Sequence, residues 1–381
     1  MKKSSPKIVY VNYCLVASKS GKYGGPFDTT VSQVRLLEEL SGVVVSGVFH
    51  GDAPVVSGIN MATHRVRHIF KMRSYFDVSS LQQVVALWKY AKSQLVHISF
   101  ARGLGPFLFV LFCRMRGAVI VLQTHGMLTA RTSAVLRIID TLITKPLIPS
   151  RAILIALTVK EANSLVSWEK KLEGRIHVIG NPAIARLSPG EMPSFARSVG
   201  FIARLHPRKR AVDFVEAAKI SNTRAEGIEY KIWGPDEGDL QRVKSTATGL
   251  NSFSYNGATD AEGVFAALRS IGVFALVSQG EPWGNVLVAA LCLGKPVVIS
   301  RSAELAELVA KYGAGYLVDD GDPNSIAVAV ALALDPENYW RLSRSALSLA
   351  DAEFSDVSVK SKLLRAYKAA GFTRRSSGGI K

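Results

Sequence analysis

Several residues in this chain have the types and spacing to hold an anion without a metal. Arg204 and Lys209 follow the β-like segment "VGFIARL", where a strand's exit would set them over a cleft. Gly284, Asn285 and Val286 open a helical segment, and the free backbone N–H groups of a helix start form an anion site. Gly24 and Gly25 precede another helical segment and would let backbone approach the same anion. Each has a plainer alternative: a solvated basic loop, a simple N-cap, a turn. Arg208 and Arg210, beside Lys209, are read as solvated. Two further side chains stand apart. Glu281 is a lone acid in "SQGEPWGNVLVAALC", with alanines in the helix behind it, and His125 lies between a β-like run and Gly126.

The elements that must position these residues alternate along the chain. "KIVYVNY", "VVVSGVFH", "LVHISF", "AVIVLQTHG", "AILIALT" and "IHVIGNP" read as strands, separated by segments of helical spacing such as "TTVSQVRLLEEL" and "LQQVVALWKYAK". The run "AIARLSPGEMPSFARS" interrupts the pattern as an interdomain linker. It then restarts with "VGFIARL", "EYKIWG", "FSYNG", "GVFALVS", "PVVIS" and "AGYLV". This βαβα order predicts an α/β protein of two Rossmann-like domains with parallel sheets and a ligand cleft between facing strand ends. The expected divisions are 1–185, 195–355 and a C-terminal helix with tail over 356–381 that returns to the first domain.

Composition excludes other classes. At 381 residues the chain is too long for one ordinary core, and 48% hydrophobic with 20% charged residues is a folded globular balance. Cys14, Cys113 and Cys292 sit in apolar runs with no metal-ligand spacing and read as reduced core residues. The longest apolar run, "GLGPFLFVLFC", is shorter than a membrane span needs, and the N-terminus does not read as a signal peptide, so a cytoplasmic protein is expected. Charge is uneven: residues 1–190 carry 24 Lys+Arg against 9 Asp+Glu, and residues 191–381 carry 23 against 21. No acid lies between Asp77 and Asp140, whereas Lys89, Lys92, Arg102, Arg114, Arg116, Arg131 and Arg137 do. That half should meet an anionic partner: a membrane surface, nucleic acid or a phosphorylated substrate.

The ordered segments resemble the retaining glycosyltransferases of family 4 (glycosyl transferases group 1, GT-B fold) over almost the whole chain. The resemblance rests on "GFIARLHPRKRAVDFVEAAK", "IWGPDEGD", "YNGATDAEGVFAALRSIGVFALVSQGEPWGNVLV" and "GAGYLVDDGD", with "KYGGPFDTTVSQVRLLEEL" and "LQTHGML" in the first half. It implies catalytic-site roles for His125, near the transferred sugar, and Glu281, holding sugar hydroxyls but not acting as nucleophile. It further implies diphosphate binding by Gly24, Gly25, Arg204, Lys209, Gly284, Asn285 and Val286. Nucleotide binding is implied for Trp233, Gly234, Asn256, Gly257 and position 289.

One departure matters. The second acid of the family's E-x7-E motif falls on Ala289, where the family's glutamate is expected to meet the ribose. Asn285, one helical turn earlier, would cover the gap in part, and donor affinity should fall by about ten- to a hundredfold.

The resemblance thus implies metal-independent transfer from a nucleotide-sugar donor to a glycan or lipid-linked acceptor, in polysaccharide or lipopolysaccharide assembly, without a cofactor. The Asp320-Gly321-Asp322 turn is read as an ordinary acidic turn, and no GxGxxG follows the first strand, against a dinucleotide enzyme. The basic first half, with Arg131, Arg137, Lys145 and Arg151 among apolar residues, suits peripheral contact with an anionic membrane, or else an amphipathic core helix. No nucleic-acid module is present. A non-catalytic, glycan-binding or scaffolding homologue is the rival that Ala289 permits.

Overall fold

The computed structural model describes residues 8–12, 25–37, 43–49, 61–65, 85, 88–128, 133–183, 187, 191, 193–224 and 226–372. Contacts divide the chain into two units, Met1–Pro182 with Val359–Lys381, and Ala183–Ser358.

The first unit holds a parallel sheet of seven strands: β1 (Ile8–Asn12), β2 (Val43–Phe49), β3 (Met61–Arg65), β4 (Leu95–Ser99), β5 (Val119–Gln123), β6 (Ile153–Ala156) and β7 (Ile176–Val178). Their order is β3-β2-β1-β4-β5-β6-β7. The register is regular, with Ile8 beside Val43 on one side and Leu95 on the other. Strands β4 and β6 are buried throughout, because a parallel sheet is covered on both faces and favours continuous apolar runs over alternation.

The helix Asp356–Ala369 belongs here mainly through Val359, Leu363, Ala366 and Tyr367, whose spacing makes one stripe. That stripe packs with Ile8, Tyr10, Leu95, Val121 and Ile155. Tyr367 also shares a 2.5 Å hydrogen bond with the Tyr10 hydroxyl and lies 2.9 Å from His97 Nδ1.

The second unit repeats the arrangement with β8 (Ser198–Ile202), β9 (Glu229–Trp233), β10 (Phe253–Tyr255), β11 (Val273–Leu276), β12 (Val297–Ser300) and β13 (Gly315–Val318) in the order β10-β9-β8-β11-β12-β13. Helices Ala211–Thr223 and Pro323–Ala333 contribute Phe214, Val215, Ile326 and Val330 to a core with Val199, Phe201 and Tyr230. In both sheets the chain winds outward one way and then reverses, between β1 and β4 and again between β8 and β11. Ligands of doubly wound folds collect at the strand exits beside such a reversal.

Candidate functional site

The exits of β8 and β9 are laced together. Ala203 N–H donates to the Trp233 carbonyl at 3.0 Å. A Cβ on Gly234 would lie 1.8 Å from the Ala203 oxygen, and its φ is 151°, so only glycine allows this approach. Leu205 then donates to the Pro235 carbonyl at 2.8 Å, and its own carbonyl accepts from Glu237 N–H and Asp239 N–H, each at 3.1 Å. On the other side, the short 3-10 turn Pro207–Lys209 leans on the exit of β11. Gln279 N–H donates to the Arg208 carbonyl at 2.8 Å, and Arg208 Nη2 donates to the Gly280 carbonyl at 3.3 Å.

These three exits enclose a cleft of about 320 Å³, lined among others by Arg204, Lys209, Glu237, Ser278, Gln279 and Glu281. Lys209 Nζ forms an ion pair with Glu281 Oε2, the two side chains being 21% and 11% exposed. Arg204 Nη1 reaches both carboxylate oxygens of Glu237, at 2.9 and 2.8 Å, with side chains 62% and 36% exposed. Ser278 is buried, and its hydroxyl lacks a hydrogen-bond partner. Such a group is costly unless something supplies one.

Arg204, Lys209 and Glu281, expected from sequence, therefore share one cleft. Arg208, read as solvated, is exposed and also lines the cleft, its Nη2 on the Gly280 carbonyl. Arg210 does not line it. It has φ 56° and donates to Asp213 at 3.0 Å. Glu237 was not expected, although the acid-rich turn "PDEGD" in which it lies was visible.

The other expected residues form the surroundings. Gly284, φ 78°, starts the helix Asn285–Cys292, with Asn285 and Val286 half-buried and Ala289 1% exposed. Gly234 N–H donates to the Gly257 carbonyl at 2.8 Å, and Asn256 N–H to the Ile232 carbonyl at 2.8 Å, which joins the exits of β9 and β10 beside Trp233. Asp322 caps the helix Pro323–Ala333 by accepting from Asn324 N–H at 2.9 Å. Among the described residues no cluster of His, Cys, Asp or Glu could hold a metal.

In the first unit, His125 occupies the turn after β5. Both His125, φ 48°, and Gly126, φ 75°, have left-handed backbone, and Met127 N–H closes the turn on the Thr124 carbonyl at 2.8 Å. Glu161 holds this turn, accepting from Thr124 Oγ1 at 2.5 Å, Gly126 N–H at 2.6 Å and Leu157 N–H at 2.7 Å. The imidazole lies 3.3 Å from Ser99 Oγ at the exit of β4, and burial pulls its pKa down to about 4, so the ring is neutral near pH 7. Sequence reading missed Glu161, though Thr158 and Glu161 stand at capping-box spacing.

Gly25 begins the helix Gly25–Leu36, whereas Gly24, Arg131 and Cys14 lie outside the described residues. Cys113 and Cys292 are buried. Arg102 corrects the expectation: it is not a surface charge but is buried against Asp140, with two 2.8 Å hydrogen bonds. Burial alone would raise the Asp140 pKa, and Arg102, Thr144 and Trp168 outweigh it and hold the group below the usual carboxylate range.

Residues 196–335 match the family model Glycosyl transferases group 1. The chain is 28% identical over 179 residues to a phosphatidyl-myo-inositol mannosyltransferase of Mycobacterium leprae, covering 46% of this chain and 47% of that protein. It is 27% identical over 256 residues to a D-inositol 3-phosphate glycosyltransferase of Corynebacterium efficiens, covering 61% and 60%. The chain thus spans about half to three-fifths of the length of these relatives. Anabaena HepE in complex with UDP matches with TM-score 0.72 at 16% identity, over 95% of this chain and all of that one. A glycosyltransferase of Rickettsia africae matches with TM-score 0.72 at 15% identity, over 97% and 100%. The fold is GT-B.

Proposed function

We propose that the protein is a retaining, metal-independent glycosyltransferase that takes a sugar from a nucleotide-sugar donor bound in the second unit. The observation that carries this reading is the cleft at the β8–β11 reversal, where Lys209 and Arg204 stand beside Glu281. HepE, a protein of the same fold, binds UDP and glucose, which supports a nucleotide-sugar as donor. In the transfer, the bond between the anomeric carbon and the diphosphate oxygen breaks, and the electron pair leaves with the phosphate. The acceptor hydroxyl forms the new bond on the same face, and its proton passes to the departing phosphate oxygen. Lys209, Arg204 and the N–H groups at the start of Asn285–Cys292 stabilise the charge that gathers on the diphosphate. Glu281 holds sugar hydroxyls.

The acceptor is a glycan or lipid-linked glycan in cell-surface polysaccharide or lipopolysaccharide assembly, met from the cytoplasmic side of an anionic membrane. One relative, whose name refers to an inositol lipid, is compatible with that setting. The first unit supports it more directly. Met115, Ile138, Leu142 and Ile143 are exposed apolar side chains, Leu142 being 71% exposed, and they lie close in sequence to Arg114, Arg137 and Lys145. Among the described residues no helix is long and apolar enough to cross a membrane. Binding to anionic vesicles at physiological salt, weakened in Leu142→Asp, is the expected result; indifference to vesicles removes the membrane part.

The donor reading is tested by calorimetric titration with UDP, GDP, ADP and their sugar conjugates. Saturable binding of one nucleotide, weakened about tenfold or more in Arg204→Ala and with the sugar conjugate weakened in Glu281→Ala, is expected. No binding at millimolar concentration would favour the non-catalytic homologue that Ala289 permits.

A further inference from the structure

A nucleotide-sugar is a diphosphate flanked by two polyols, the transferred sugar on one side and the ribose on the other. The cleft of the second unit carries charges in a matching order. The strand sequence β9-β8-β11 sets Glu237 after β9, Arg204 and Lys209 after β8, and Glu281 after β11, all lining one space. Each carboxylate holds one of the two cations, Glu237 with Arg204 and Glu281 with Lys209. Ser278 lines the same space.

We propose that Glu237 is the ribose-reading carboxylate of this donor site, accepting hydrogen bonds from the 2′- and 3′-hydroxyls once the diphosphate takes over Arg204. The proposal rests on the donor reading above. A carboxylate at the exit of a neighbouring strand is a chemically suitable acceptor for a ribose diol, and other doubly wound folds use one so. Position 289 cannot serve, since Ala289 is buried and has no acceptor side chain.

The turn that carries Glu237 is built so that this one acid is available. Asp236 Oδ1 is taken by Gly238 N–H at 2.8 Å and Leu240 N–H at 3.2 Å. Asp239 is buried and paired with Arg242 at 2.9 Å. Glu237 alone of the three lines the cleft, and its backbone is fixed by the hydrogen bond to the Leu205 carbonyl. The exposed pairing with Arg204 is weak enough to be exchanged for a ligand.

The test is calorimetric titration of the full chain with UDP, GDP and ADP, each beside its 2′-deoxy counterpart, in the wild type, Glu237→Ala and Glu237→Gln. For the nucleotide that binds, the wild type should favour the ribose form by about tenfold, and the ratio should fall to about one in Glu237→Ala. Glu237→Gln, which keeps an acceptor oxygen and the shape of the side chain, should fall between and guards against a folding defect in the alanine variant. A ratio near one in the wild type, or a ratio unchanged by both substitutions, overturns the proposal, whatever happens to absolute affinity. In that case Glu237 is only the counter-ion of Arg204. Failure of all three diphosphates to bind the wild type would instead sink the donor reading, and this assignment with it.

Discussion

The buried ion pair of the first unit and the cleft pairs of the second are used in opposite ways. In the first, Arg102 and Asp140 are 5% and 3% exposed, joined by two hydrogen bonds and closed by Trp168 Nε1 at 3.1 Å. In the second, Arg204 and Glu237 stand largely in solvent, and Lys209 and Glu281 are partly open. A buried pair is locked, because breaking it strands a charge in low dielectric. An open pair contributes little to stability and can trade its partner for a ligand. The difference separates a charge pair that fixes a fold from charges held ready at a site. Net charge alone could not tell them apart.

The contrast can be broken most sharply at Asp140. Asp140→Ala leaves Arg102 buried without its partner and should cost roughly 3–5 kcal/mol, seen as a large fall in thermal midpoint. Glu161→Ala, which strands the Thr124, Gly126 and Leu157 donors, should cost about 2–4 kcal/mol in denaturant unfolding and release the His125 turn.

His97 supplies a pH test. It is buried, and its pKa falls to about 3, chiefly by burial and then by the nearby His125, against a hydrogen bond with Gln123 that raises it. The unfolded ring titrates near 6.5, so between those values unfolding takes up a proton. The stability that the neutral ring contributes is complete above pH 6.5 and is lost as pH falls toward 3. By pH 5 the loss should be about 2 kcal/mol, and His97→Gln should flatten that slope in urea titrations. The smallest expected change in stability is at Arg204. Arg204→Ala should shift unfolding by less than about 1 kcal/mol while weakening nucleotide binding about tenfold or more. Equal effects of Arg204→Ala and Asp140→Ala on stability would erase the contrast between the units.

Much of the fold was legible because parallel strands buried on both faces are written as apolar runs, as in "LVHIS" and "ILIA". Strand β3, "MATHR", was not, since an edge strand with one neighbour needs no such run. The cations of the cleft were found from their place after a strand. Glu237 was hidden because its significance depends on Leu205 drawing the next strand's exit alongside, a contact between residues far apart in sequence. Arg102 was misread because its partner Asp140 lies 38 residues away.

The sequence by itself determined the two runs of alternating strands and helices, the glycine needed where Gly234 meets Ala203, and which side chains could carry charge. Tertiary structure alone decided which charges were buried and which were left open. Local pattern records what each segment must hide, whereas the pairing of distant charges depends on which strand exits the sheet order brings together.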